Sequence, residues 1–121
     1  MHFSDHEDRP LFQQVTDQIA DLILTQAVAE SEQIPSTTEI SHTYKINPAT
    51  VLKGINQLVA EGLVEKRRGI GMFVTPGARD RLVEKRRAEL LDNQITHLVT
   101  EARRLGLSPH DLTTMIERKF R

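Results

Sequence analysis

Residues 35–75 read PSTTEISHTYKINPATVLKGINQLVAEGLVEKRRGIGMFVT. Their punctuation is that of a helix, a turn, a second helix and a hairpin. Ser36 followed by Glu39 has the spacing of a capping box: the serine satisfies a first-turn N–H and the glutamate reaches back to the capping residue. That predicts a short helix over residues 37–44. After Lys45-Ile46, Asn47 suits a second cap, and Pro48 falls at the first helical position, where its missing N–H costs nothing. Val51, Ile55, Leu58 and Val59 recur at helical spacing and give this helix one apolar face. Gly62 suits the left-handed residue that follows a helix end. Residues 63–66 and 72–75 then read as short strands around Arg67-Arg68-Gly69-Ile70-Gly71, a tip with two arginines and two glycines.

Two short helices joined by a tight turn can form a DNA-reading unit, with the second helix in a major groove. They can equally form a plain helical hairpin. The basic hairpin after them shifts the balance. Glycines beside arginines let the backbone approach a partner closely, and a purely structural turn has no need of both. The residues of the second helix free to meet DNA are Asn47, Ala49 and Thr50 near its start, and Lys53 one turn on. The leading end of such a helix is the part that meets base edges, and its free N–H groups favour phosphate. Gly54 is out of place in a helix, where glycine costs about 1 kcal/mol relative to alanine. Close packing at that point and simple tolerance of a small residue are both compatible with it.

The chain has 121 residues and a net charge of −1, which suits a nucleic-acid binder only once the charge is divided. Residues 1–44 hold eight acidic residues against Arg9 alone. Residues 45–87 hold ten basic residues against four acidic ones, and residues 88–121 balance at five each. The positive charge is therefore concentrated in the second helix, the hairpin and the dozen or so residues after it, and its position matters more than the total. There is no cysteine, so neither disulfides nor a cysteine-based metal site is available. No run approaches the roughly 20 apolar residues of a membrane span, and no apolar leader follows a basic start. We expect a soluble, cytoplasmic chain.

Residues 1–9 are polar and acidic and are expected to be a mobile tail. His2 and His6 are four apart, but no third ligand type stands at a recognisable spacing, so the tail is read as solvated and no metal is expected. Pro10 opens a helix to about Gln26 in which Leu11, Val15, Ile19, Leu22 and Ile23 line one face. Residues 27–34 read as a polar connecting loop. These pieces make residues 10–76 one expected domain.

Pro76-Gly77 breaks the chain, and from Ala78 a long helix runs to about Leu105. Leu82, Leu90, Leu91, Ile95, Leu98, Val99, Ala102 and Leu105 give it an apolar side. Gly106 stops it; Ser108, Pro109 and Asp111 restart a helix with Leu112, Met115, Ile116 and Phe120 on its apolar face. Two amphipathic helices of this size cannot close a core by themselves. They must bury their stripes on the first module or on a second subunit. A second copy fits better, because two-fold proteins match palindromic sites. Residues 77–121 are thus expected to be a helical dimerisation tail, and the fold class is mainly α with a small β-hairpin.

Several ordered motifs resemble one family. They are Pro10-Leu11-Phe12-Gln13-Gln14-Val15, Ile34-Pro35-Ser36 with Glu39-Ile40, Asn47-Pro48-Ala49-Thr50-Val51, residues 58–65 (LVAEGLVE) and residues 67–74 (RRGIGMFV). Over about residues 10–75 they are similar to the N-terminal winged helix-turn-helix of GntR-family transcriptional regulators. The Asn-Pro-x-Thr-Val form and the short two-helix tail resemble the small YtrA-type subgroup. The resemblance implies a dimeric bacterial regulator, mostly a repressor, whose partner is double-stranded DNA. It carries a DNA role to Ser36, Asn47, Ala49, Thr50, Lys53, Arg67, Arg68, Gly69 and Gly71, and Thr37 and Thr38 beside Ser36 join the candidate interface. Thr38 and Leu52 stand where the family commonly has arginine, so affinity is expected to lean on Lys53 and the wing. The usual Pro-Gly is missing from the loop before Ile34. The tail is too short for the sizeable effector domain of larger members, so an inducer would have to sit in a small pocket at the helical dimer interface.

No nucleophile elbow, phosphate loop, paired-histidine helix or other placed acid/base constellation stands in the chain, and His42, His97 and His110 are scattered. An enzyme is not expected, nor a cofactor. The alternative reading is a winged module used as a protein-interaction adaptor without DNA, because fold alone does not fix function.

Overall fold

The computed structural model describes residues 1–4 and 8–121. The order is α1 (Leu11–Leu24), α2 (Thr37–Tyr44), α3 (Pro48–Ala60), β1 (Val64–Arg67), β2 (Gly71–Val74), α4 (Ala78–Glu89), a π-helical segment (Leu90–Gln94), α5 (Ile95–Arg104) and α6 (Pro109–Phe120). Two compact units result, Met1–Val83 and Glu84–Arg121. No helix among the described residues is long and apolar enough to cross a membrane.

The first unit is built on the expected apolar stripes. Val15, Ile19 and Ile23 of α1 meet Ile40 of α2 and Val51, Ile55 and Leu58 of α3 in one buried cluster. The helix boundaries follow local chemistry. Ser36 Oγ accepts from Glu39 N at 3.0 Å, so at α2 the serine half of the expected box is formed. The full reciprocal box forms at Ser108 and Asp111, at the start of α6. Asn47 Oδ1 accepts from Ala49 N at 2.8 Å, with Pro48 in the first turn.

Gly54 is a close-packing glycine. A Cβ there would lie 2.5 Å from Phe12 O and 2.9 Å from Val15 Cβ of α1. Thr16 Oγ1 donates to Gly54 O at 2.7 Å across the same contact. α1 and α3 therefore approach backbone to backbone. Val59, expected on the buried face, is 38% exposed, because it lies at the rim of the stripe defined by Val51, Ile55 and Leu58.

β1 and β2 pair antiparallel with Val64 opposite Val74 and Arg67 opposite Gly71, one residue displaced from the expected strands. The segment expected to be a plain loop before Ile34 joins the sheet. Gln33 bridges Phe73, Ile34 N donates to Met72 O at 2.9 Å, and Val74 N donates to Glu32 O at 2.9 Å. The free edge of β2 is covered in this way, satisfying backbone groups that would otherwise face solvent.

The N-terminal tail, expected to be mobile, is docked at Met1–Ser4. Gln14 of α1 accepts from Ser4 N at 3.0 Å and donates to Ser4 O at 2.8 Å. Gln18 repeats the pattern one turn on, accepting from His2 N at 2.7 Å and donating to His2 O. Phe3 packs on the core and meets the Tyr44 ring edge-on at 5.1 Å. Two amides at i and i+4 thus hold an extended segment by its main chain. His6, the second histidine of the tail, lies outside the described residues.

The helical region after Pro76 differs from the expected uniform stripe. Ala78 and Leu82 are buried in the core of the first unit. Leu82 is only 3% exposed, so it is not available as a dimerisation residue. Arg81 holds this first turn in place: its Nη2 donates to Gly62 O at 2.6 Å and to Thr75 Oγ1 at 2.8 Å. In the second unit Ala102, expected on the dimerisation face, is likewise 3% exposed and so is not available to a partner, and Leu107 N donates back to Ala102 O at 2.9 Å where the chain turns. Leu90, Leu91, Ile95, Leu98, Val99, Leu105, Met115 and Ile116 are exposed, and Leu112 is half-buried.

Candidate nucleic-acid interface

The reading unit is held rigid at its turn. Lys45 ends α2 in the left-handed conformation, φ 55°, and Ile46 folds inward to the core. Ser41 Oγ donates to Ile46 O at 2.6 Å and Ile46 N donates to Ser41 O at 3.2 Å. These bonds set the angle at which α3 leaves the turn.

Asn47 and Ala49 are exposed at the start of α3, and Thr50 is half-buried. The Asn47 side-chain oxygen is engaged in capping, on a residue that stays exposed. Lys53 is exposed, but its ammonium lies 4.0 Å from the centroid of the Phe12 ring of α1. The expected lysine contact to DNA is therefore drawn to the α1 flank by a cation–π attraction. Leu52 and Asn56 are exposed on the same outer side as Ala49. Asn56 is not among the residues expected at the site, although its i+7 spacing from Ala49 is a signal the sequence carries. Ser36 and Thr37 are half-buried at the start of α2, with Thr38 exposed beside them.

The hairpin tip carries Arg67 and Arg68, both exposed. Arg67 is braced: Nη2 pairs with Glu65 Oε1 at 3.1 Å, and the guanidinium stacks 4.2 Å from the Phe73 ring centroid. Residues two apart on a strand share a face, so the Glu65–Arg67 pairing is legible in the sequence. Gly69 is left-handed at φ 76° with open space around it, and Gly71 has φ 143°. A Cβ on Gly71 would collide with Gln33 Nε2, which donates to Ile70 O at 3.2 Å. Gln33 thus supports the tip from outside the hairpin, a role no local motif announces.

The chain matches the family described as "Bacterial regulatory proteins, gntR family" over residues 11–74. It belongs to the GntR family. The matched stretch contains α1, the α2–α3 pair and the hairpin, so the hairpin is the wing of a GntR winged helix-turn-helix domain. This GntR chain is 28% identical over 108 residues to the HTH-type transcriptional repressor YtrA of Bacillus subtilis (strain 168), covering 89% of this chain and 82% of that one. A crystal structure of a GntR-family regulator from Bacteroides thetaiotaomicron superposes with a TM-score of 0.73 at 26% identity, over 92% of this chain and 96% of the other. The DNA-binding domain of AraR, solved in complex with operator ORX1, superposes with a TM-score of 0.56 at 25% identity, over 62% of this chain and 93% of the other. As a GntR member the chain is a transcriptional regulator with a DNA-binding domain, and the relatives it matches are named as regulators and not as enzymes.

Proposed function

We propose that this GntR regulator represses transcription in the cytoplasm by binding a palindromic operator as a homodimer. In this reading residues 10–76 bind DNA and residues 77–121 are the dimerisation tail, its first turn anchored in the first unit by Ala78 and Leu82 and its interface formed by the residues after them. The leading end of α3 enters the major groove and Arg67 and Arg68 of the wing meet neighbouring phosphates, a docking in keeping with the helix-turn-helix pattern. The observation that carries the DNA part is the free leading end of α3, with Asn47 and Ala49 exposed, in a chain that also exposes a two-arginine wing. Ser36, Thr37, Thr38 and Thr50 frame the reading helix, and Lys53 supports it through Phe12.

The dimer part is supported by the second unit. Leu98 and Val99 of α5 and Met115 and Ile116 of α6 are all large, apolar and exposed. An unburied stripe of that size on two helices calls for a partner, and a second copy presents the same stripe. A groove of about 510 Å³ beside α6, lined by Leu107, His110, Asp111, Leu112, Met115 and Arg118, is the place we assign to a small effector that relieves repression.

The test is selection of bound duplex from a random pool with the full chain, paired with sedimentation of the protein. We expect an inverted repeat with half-sites about one helical turn apart and a dimeric mass. Leu98→Glu with Ile116→Glu should give a monomer that no longer selects the repeat. A pool from which nothing is enriched would support the adaptor reading instead.

A further inference from the structure

We propose that Leu52 reads the 5-methyl group of thymine, so that the operator bases facing the second turn of α3 are A·T pairs. The inference rests on the reading of α3 as the helix in the major groove and deepens it. α3 buries Val51, Gly54, Ile55 and Leu58. On its other side Ala49, Leu52, Lys53 and Asn56 are exposed. The Lys53 ammonium sits over the Phe12 ring at 4.0 Å, which draws the cation of this face toward α1. Ala49, Leu52 and Asn56 remain, at spacings of three and four residues, and so form one line along the helix.

The chemistry of that line is restrictive. It holds a methyl, an isobutyl group and an amide. It holds no guanidinium to bridge guanine O6 and N7, and no carboxylate to accept from cytosine N4, the pairings by which G·C is commonly read. The apolar group a major groove offers is the thymine methyl, and an asparagine amide matches adenine N6 and N7. Leu52 stands in the middle of the line with 45% of its surface exposed. Leucine there adds nothing to the core of the unit; against a thymine methyl its exposed surface is covered. The family resemblance alone makes Leu52 look like a missing arginine. The exposed face of α3 makes it a contact of a different kind.

The experiment uses the full chain in three forms: unaltered, Leu52→Ala and Leu52→Arg. Each is put through selection from a random duplex pool. The duplex enriched by the unaltered chain is then remade with each thymine singly replaced by deoxyuridine, which removes only the methyl. We expect one position per half-site at which the replacement weakens binding about fourfold, the worth of one buried methyl. Leu52→Ala should be indifferent to that replacement while keeping the same salt dependence and the same Tm. Leu52→Arg should select G·C at that position. Enrichment of a duplex that tolerates deoxyuridine everywhere, or a Leu52→Ala chain still sensitive to it, overturns the thymine reading and leaves α3 as the reading helix. A pool from which the unaltered chain enriches no duplex overturns both together.

Discussion

Lys53 of α3 and Phe12 of α1 form a cation–π pair, ammonium to ring centroid 4.0 Å. The pair ties a charge on the proposed DNA face to the helix behind it. At an exposed site such a pair contributes about 0.5–1 kcal/mol. Lys53→Met keeps the aliphatic stem and removes the charge, so urea unfolding should show a loss of about that size. In a Phe12→Leu background the same substitution should cost nothing further, the signature of coupling in a double-mutant cycle. Equal losses in both backgrounds would show that the ring does not hold the lysine.

Gly54→Ala gives a sharp test of the α1–α3 contact, since two effects oppose. Helix propensity favours alanine by about 1 kcal/mol. The new Cβ would lie 2.5 Å from Phe12 O and 2.9 Å from Val15 Cβ, and overpacking of that kind costs about 1–3 kcal/mol. The backbone oxygen cannot swing away as a flexible side chain could. We expect net destabilisation in a denaturant titration, and a more stable variant would mean that the helices part easily.

The two wing arginines should differ in their response to salt. Arg68→Ala should lower affinity for all duplexes and reduce the log–log salt slope by about 0.9 for each phosphate it no longer neutralises. Arg67 is paired with Glu65 at 3.1 Å, so Glu65→Gln should release it and tighten binding at low salt. A slope unchanged by both Arg67→Ala and Arg68→Ala would remove the wing from the interface.

Asp111 provides a pH-dependent reporter at the start of α6. Its carboxyl is held below its ordinary value of 3.8, first by the Ser108 backbone N–H, at 2.8 Å, and then by the Ser108 hydroxyl. The folded value is depressed, so the contribution is fully present above the unfolded value and is lost as pH falls through the folded one. The Asp111 carboxyl resonance should titrate with a midpoint below 3.8, and helix signal should fall over that same range. Asp111→Asn should abolish that acid step, and Ser108→Ala should move the midpoint up.

The parts of this fold that are decided by neighbouring residues are legible in the sequence. Ser36, Asn47-Pro48 and Ser108-Pro109 each satisfy local N–H groups, so the starts of α2, α3 and α6 can be read directly. The wing is legible for the same reason, to within one residue of register. The features that escape depend on distant partners. An amphipathic stripe declares a face and not what covers it, so Leu82 resembles Leu90 although the first is buried in the core and the second is exposed. Lys53 declares a charge and not a direction. Gln33 reaches the sheet through its backbone, and Gln14 and Gln18 hold the chain start through amides that look like those of ordinary surface glutamines.

That grip on the chain start has an evolutionary corollary. Gln18 touches the peptide group of His2 and ignores what that residue carries. Descendants of this gene are therefore free to change the His2 codon, with proline barred because it has no N–H to offer. Phe3, seated on the core and against Tyr44, is where drift should stop. Among related genes the letter at position 2 should diverge in spelling beside one persistent bulky apolar letter.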